Sequence, residues 1–266
     1  MRGTINEAAY KLWREGRELL PITSQANFDK SLAKMKKAIA LDGNFARAFS
    51  RLSYLYVTGV IDGWNFEPGW TDNKKLLEAQ KLAKKAVKLD RYDYDTHWAL
   101  AFVYLNRGNG QTAIQEYRKA LKLDDNNMNL LAEMADALVY VGKRDEAIRK
   151  LMQARRIFDW HRWVLAWAYY FKGRKDKLYY DFAHDELRRM VVPPHHDRYP
   201  AEIMLLSAAV HVRMNKIGQA KEVMDMFKLK KPDWTVEKER KRGPALNRAD
   251  EKHWLDALRT AGLPKI

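Results

Sequence analysis

Between Tyr94 and Asp159 one pattern of residues occurs twice in succession, and its period constrains the fold more than any other feature of the chain. His97, Leu100, Ala101 and Tyr104 are followed by Ala113, Tyr117 and Ala120; Leu131, Met134, Ala135 and Leu138 are then followed by Ala147, Leu151 and Ala154. Ala113 and Ala147 stand 34 residues apart, as do Ala120 and Ala154. A unit of this length is two helices joined by a short turn. Alanines let the two backbones approach closely, and Leu100, Tyr104 and Tyr117 fill the space between layers. A single such hairpin cannot bury its own apolar stripe, so neighbours must stack on it and share one extended core.

Period and residue pattern together match the tetratricopeptide repeat. The expectation is an all-α, right-handed superhelical solenoid of about five to six helix-turn-helix repeats, one domain over 1–266, closed by a C-terminal capping helix. The first repeat pairs a helix over Ile5–Leu20, ended by Pro21, with one over Phe28–Leu41 that carries Ser31, Met35 and Ala38. The second pairs Phe49, Leu52, Ser53 and Tyr56 with Ala79, Ala83 and Ala86. It holds an insertion, 59–75, in which Trp64, Phe66 and Trp70 lie among glycines and a proline. Three large aromatics are costly to leave in water. The loop therefore either folds back onto the solenoid as a plug or grips a ligand.

Trp160–Leu187 forms a fifth hairpin, with Leu165, Ala166, Tyr169, Gly173 and Phe182 in the repeat positions. A connector, 190–200, precedes a sixth hairpin with Met204, Ser207, Ala208 and His211 followed by Ala220, Met224 and Phe227. The remainder, 235–266, reads as a charged linker, Glu237–Arg242, and a cap helix from Asp250 to Ala261 whose apolar face is Trp254, Leu255 and Leu258.

A chain of 266 residues, 47% hydrophobic, can bury a core of this kind. The absence of cysteine excludes disulfides, thiolate nucleophiles and cysteine-held metals. No apolar run approaches the roughly 20 residues of a membrane-spanning helix, and the first residues lack the apolar stretch of a signal peptide. A cytoplasmic location is the expectation. No glycine-rich phosphate loop, nucleophile elbow or paired catalytic carboxylates occur. His195 and His196 beside Asp197 lack the helical spacing of a strong metal site, and His97 and His211 occupy packing positions of the repeat. The reading is of a non-enzymatic chain without metal or cofactor.

The stretch Ala9-Tyr10-Lys11-Leu12-Trp13-Arg14-Glu15-Gly16-Arg17-Glu18-Leu19-Leu20, the tryptophan-rich insertion, the Asp159-Trp160 joint and the ending Leu255–Pro264 resemble the tetratricopeptide module found C-terminal to bacterial adenylate/guanylate cyclase domains. The chain has no cyclase domain and no counterpart of its metal-binding aspartates. The resemblance implies a sensory or scaffolding module in signalling, without activity of its own.

In repeats of this kind the side chains facing the concave groove are Arg47, Ser50, Tyr54, Val57 and Thr58 in the second repeat and Trp98, Phe102, Leu105 and Asn106 in the third. The fourth supplies Ala132, Asp136, Val139 and Tyr140, the fifth Trp163, Trp167, Tyr170 and Phe171. This aromatic groove lacks the Lys and Asn set of a carboxylate clamp and suits a peptide or protein segment with apolar anchors. Part of the stripe can instead be core between repeats.

Two alternatives accompany that reading. Net charge is +15, and basic clusters recur on the second helices: Lys34, Lys36 and Lys37; Lys81, Lys84, Lys85 and Lys88; Arg118, Lys119 and Lys122; Arg149 and Lys150. Stacked at the repeat period, they form a convex ridge for nucleic acid or an acidic surface, or simply a solvated face. The other alternative is a small hydrophobic ligand under the 59–75 loop. Self-association through the solenoid ends is a further option.

Overall fold

The computed structural model describes residues 4–20, 24–66, 68–154, 159–190 and 201–265, among which there are fourteen α-helices and no strand. No helix is long and apolar enough to cross a membrane. The chain forms two compact units, Met1–Leu130 and Leu131–Ile266.

The first unit is three antiparallel hairpins: α1 (Glu7–Arg17) with α2 (Gln25–Leu41), α3 (Ala46–Ile61) with α4 (Asp72–Leu89), and α5 (Tyr94–Asn106) with α6 (Gly110–Leu123). Successive hairpins stack through α2 on α3 and through α5 on both α3 and α4. Polar caps mark the starts: the side chains of Asn6, Ser24, Thr71 and Asp93 each accept a bond from a backbone N–H of the first turn. The alanines of the repeat pattern, Ala38, Ala79, Ala83, Ala86, Ala101, Ala113 and Ala120, are wholly buried, and so is Tyr117. Each large side chain so buried stabilises the stack by about 1.5–3 kcal/mol.

In the second unit α7 (Met128–Tyr140), which starts at the boundary, precedes α8 (Arg144–Met152). Two hairpins follow, α9 (Asp159–Lys172) with α10 (Leu178–Met190) and α11 (Ala201–Arg213) with α12 (Ile217–Lys230), and then α13 (Val236–Lys241) and α14 (Arg248–Ala261). The helix-to-helix turns share one solution. Gly108 and Gly142 take φ of +79° and +84°, and the next residue donates its N–H to Tyr104 O and Leu138 O respectively, both at 2.8 Å. A left-handed residue at this point closes the helix end, and glycine adopts it without a steric cost. Asn215, φ 61°, does the same after α11.

Several elements differ from the sequence expectation. The insertion's non-helical part is shorter than 59–75, because α3 runs to Ile61 and α4 starts at Asp72. Glu237–Arg242 is mostly helical rather than a linker: Thr235 caps α13, and Glu237 pairs with Arg240 and Lys241 at 2.8 and 3.3 Å. The α8 helix stops at Met152, so Ala154 lies beyond it. On α10 the expected Phe182 is 41% exposed, while Tyr180, Ala183 and Leu187 are buried. Tyr180 sets that register by lying against Gly173, where a Cβ would come within 2.3 Å of its ring. Pro21, the pair His195-His196, Asp197 and most of the 190–200 connector fall outside the described residues.

The insertion is folded back as a plug. Phe28 meets Trp64 at 6.2 Å and Phe66 at 5.2 Å, and Tyr56 meets Phe66 at 5.1 Å and Trp70 at 5.3 Å. Gly59 permits this, since a Cβ there would stand 2.3 Å from the Phe66 ring. Gln25 exchanges two hydrogen bonds with the Asn65 backbone, at 2.9 and 3.1 Å.

Candidate functional site

The first helices of the hairpins carry the groove positions, and the two units treat them differently. In the first unit α3 and α5 bring Tyr54, Trp98 and Phe102 together. Tyr54 lies 5.4 Å from each of the other two rings, and Trp98 stacks on Phe102 at 6.1 Å. All three are half-buried, so their outer faces form a platform. Arg51 lies against Tyr54 and Trp98, 5.2 and 5.1 Å from their centroids, and reaches Asp95 at 3.7 Å. Burial raises the Asp95 carboxyl above its ordinary range despite that neighbour. Arg47 is held by an ion pair to Asp93. Ser50, Val57, Thr58 and Leu105 are buried and belong to the packing. Asn106 donates to Phe102 O at 2.9 Å, leaving its own side-chain oxygen without a partner.

In the second unit α9 carries a ladder of stacked rings. Trp160 to Trp163, Trp163 to Trp167 and Trp167 to Tyr170 are separated by 4.9, 5.9 and 6.1 Å, with interplanar angles of 6°, 18° and 4°. Only the end of the ladder is open: Trp160 is 38% exposed, against 8% for Trp163 and 4% for Trp167, with Tyr170 and Phe171 in the core. The cover is α14, which packs on α11 and α12 and sets Trp254 at right angles to Trp167, centroids 4.9 Å apart. Asp250, wholly buried, pairs with Arg144 and Arg174, and the His253 carbonyl accepts bonds from Tyr170 Oη at 3.2 Å and from Arg213. The His253 ring meets Tyr180 Oη at 3.1 Å. Glu239 of α13 accepts from the indoles of Trp234 and Trp254, both at 3.1 Å.

The C-terminal segment thus occupies the face that the fifth repeat was expected to offer a partner. Trp163, Trp167, Tyr170 and Phe171 are largely core, for the physical reason that an amphipathic helix from the same chain lies on them. Ala132 and Val139 are also buried. Asp136 stays on α7 with one carboxylate oxygen unpartnered, and burial, with Glu133 nearby, pushes its carboxyl well above the ordinary range. Sequence reading missed Arg144, Arg174, Arg213 and His253. The available signal was Asp250 one turn before Trp254 on the apolar face of α14.

Of the remaining candidates, His97 makes contacts within its own hairpin. His97 Nδ1 lies 2.7 Å from Glu116 and its Nε2 3.1 Å from Arg91 O, which ties α5 to α6. Of the basic clusters, Lys34, Lys81 and Lys119 are paired with Glu15, Glu78 and Glu116. Among the described residues no group of three or more His, Asp or Glu side chains is arranged to hold a metal ion.

Comparison with known proteins bears on the fold. Residues 94–127 match the family described as tetratricopeptide repeat. Over 86 residues, 32% of this chain, the sequence is 30% identical to the type IV pilus assembly protein PilF of Pseudomonas aeruginosa, and the matched stretch spans 34% of that protein's length. Among solved structures, a thermophilic tetratricopeptide-repeat protein of Thermus thermophilus superposes with a TM-score of 0.60 at 16% identity, covering 77% of this chain and all of that one. The type IV pilus biogenesis factor PilW gives 0.59 at 12% identity, covering 86% and 96%. Residues 94–127 therefore form a tetratricopeptide repeat within an all-helical chain that has the fold of tetratricopeptide-repeat proteins.

Proposed function

We propose that this chain is a non-enzymatic interaction scaffold that recognises a peptide or protein segment on the α3–α5 face of its first unit. The observation that carries the reading is the Tyr54–Trp98–Phe102 platform, three half-exposed rings within 6.1 Å of one another on neighbouring first helices. Aromatic anchors on a rigid surface supply much of the energy in protein recognition. The second unit illustrates what such a face accepts, since its counterpart holds an amphipathic helix through a tryptophan and a carboxylate. The similar proteins named for pilus assembly and biogenesis accord with a scaffold role. The resemblance to cyclase-associated modules suggests a regulatory setting within a signalling protein.

A second reading is favoured by the exposed Lys37, Lys84, Lys88 and Lys122 on α2, α4 and α6, which would attract a polyanion. The third option, a small hydrophobic ligand under the insertion, loses ground because Trp64, Phe66 and Trp70 themselves fill that space. The test is affinity capture from a source lysate at low and high salt with the wild-type chain and a Trp98→Ala/Phe102→Ala variant. A protein retained by wild type at high salt and lost by the variant supports the platform. Capture of nucleic acid or acidic proteins alone, released by salt and indifferent to the substitutions, favours the lysines.

A further inference from the structure

The α14 helix leaves a gap in the face it covers. Between α9, α11 and the α13–α14 connection lies a cavity of about 40 Å³, room for about three waters. Trp163 and Trp167, stacked with centroids 5.9 Å apart, make one wall. Trp254 stands at 85° to Trp167 as a second, and Tyr140, at 56° to the same ring, as a third. The indoles of this region are unevenly served. Glu239 accepts from those of Trp234 and Trp254, whereas the indole N–H groups of Trp163 and Trp167 are buried without an acceptor among the described residues. An indole N–H is a donor only, so the cost of burying it is relieved by an acceptor and by nothing else.

The charges around the opening cancel. Glu237 pairs with Arg240 and Lys241 at 2.8 and 3.3 Å, Glu239 pairs with Arg242 at 3.7 Å, and Glu251 on the lining sets a third carboxylate against these three basic groups. The Glu251 side chain, on the first turn of α14, has no partner among the described residues. The cavity thus offers apolar walls, two donors without acceptors, one acceptor without a donor, and no net charge. A pocket of this kind binds through its walls and orients through its few polar groups. The neutral group that answers both kinds of polar group is a carboxamide, whose carbonyl oxygen has two lone pairs to accept with and whose NH2 donates. We propose that this cavity binds a primary carboxamide, with the Trp163 and Trp167 indoles donating to its carbonyl oxygen and Glu251 accepting from its NH2. Three waters occupy about 90 Å³ in the liquid, the size of acetamide. The source is a free small amide or the end of a glutamine or asparagine side chain.

The test is NMR titration of the full chain, at constant ionic strength, with three probes of one shape: acetamide, acetone, which accepts but has no N–H, and sodium acetate, which carries a charge. Acetamide is expected to give saturable shifts centred on the Trp163 and Trp167 indole N–H signals, acetone several-fold weaker binding, and acetate none. Acetamide binding is expected to weaken several-fold in Glu251→Ala and to persist in Glu251→Gln, which keeps an acceptor without the charge. Glu251 is half-exposed and unpaired, so neither variant is expected to change the melting temperature. A blocked Gly-Gln-Gly peptide beside Gly-Leu-Gly separates the sources. Tighter binding by the glutamine peptide than by acetamide assigns the site to a partner's side chain; the reverse order assigns it to a free amide. Absence of saturable acetamide shifts, which leaves the cavity to ordered water, overturns the proposal. So does binding of acetone, acetate or the leucine peptide as tight as that of acetamide, indifference to Glu251→Ala, or an equal loss in Glu251→Gln.

Discussion

Two faces built from the same repeat positions have opposite fates in this protein. Tyr54, Trp98 and Phe102 keep their outer surfaces in water, whereas Trp163, Trp167 and Tyr170 lie under a helix that follows them in the chain. The positions are equivalent by period, so the repeat cannot decide exposure. What decides it is whether the chain later supplies an amphipathic segment with matched anchors. The second unit has filled its groove with its own C-terminal segment.

The comparison breaks most readily at those anchors. Trp254→Ala is expected to cost the second unit about 3–5 kcal/mol through the cavity it opens, and Asp250→Ala a similar amount, because two guanidiniums would be left facing each other without their carboxylate. Chemical denaturation followed by tryptophan fluorescence measures both. A loss below about 1 kcal/mol for either variant would show that α14 rests on the ladder without supporting it.

Acidification sharpens the same contrast. Burial, with His184 alongside, lowers His211 to about 4, and burial, with Arg213 and Arg174 alongside, lowers His253 to about 3. A folded state that keeps a histidine neutral is at full advantage above the unfolded value near 6.5 and loses ground as pH falls toward the folded value. Asp136 acts in the opposite sense, its raised carboxyl gaining stability on acidification. The measurement is therefore a difference: between neutral pH and pH 4, wild type is expected to lose on the order of 3 kcal/mol relative to His211→Leu. In the first unit burial raises Glu116, but bonds from His97 and Lys119 outweigh it and hold the carboxyl below its usual range. That stability is present above the unfolded value of 4.5 and disappears below it, so the second unit should melt first in acid.

Smaller effects probe the open unit. Trp98→Ala/Phe102→Ala removes two half-buried rings and should cost about 1.5–3 kcal/mol, the equivalent of one fully buried large side chain, while removing partner capture. A stability loss beyond that range would mean that the platform is core like its counterpart. Gly59→Ala drives a methyl into Phe66 and is expected to loosen the insertion at a cost of about 1–3 kcal/mol, seen as a lower melting temperature.

Much of the fold was legible because the repeat pattern ties small residues to backbone approach: the alanines at the repeat positions of the first unit, Ala38, Ala79, Ala83, Ala86, Ala101, Ala113 and Ala120, are all buried, whereas Ala8, expected on the apolar stripe of α1, is exposed. The insertion was half legible. Its aromatics demanded burial, but only Gly59 beneath Phe66 settles where they go. The second unit was harder because its decisive contacts join distant segments, Arg144 and Arg174 to Asp250, and Tyr170 to the His253 backbone. Local pattern showed α14 as an amphipathic cap without showing which face receives it. Phe182 was misplaced because Gly173 admits the Tyr180 ring, a tertiary fit that no period encodes.

One backbone contact has a practical use. The N–H of Val236 donates to Pro264 O at 2.8 Å, so the start of α13 and the residues beyond α14 are fastened to each other. That amide is protected only while the chain around Pro264 is in its seat. Its deuterium uptake is a single-site clock for undocking of the C-terminal segment, readable in the unmodified protein without a label or a known partner.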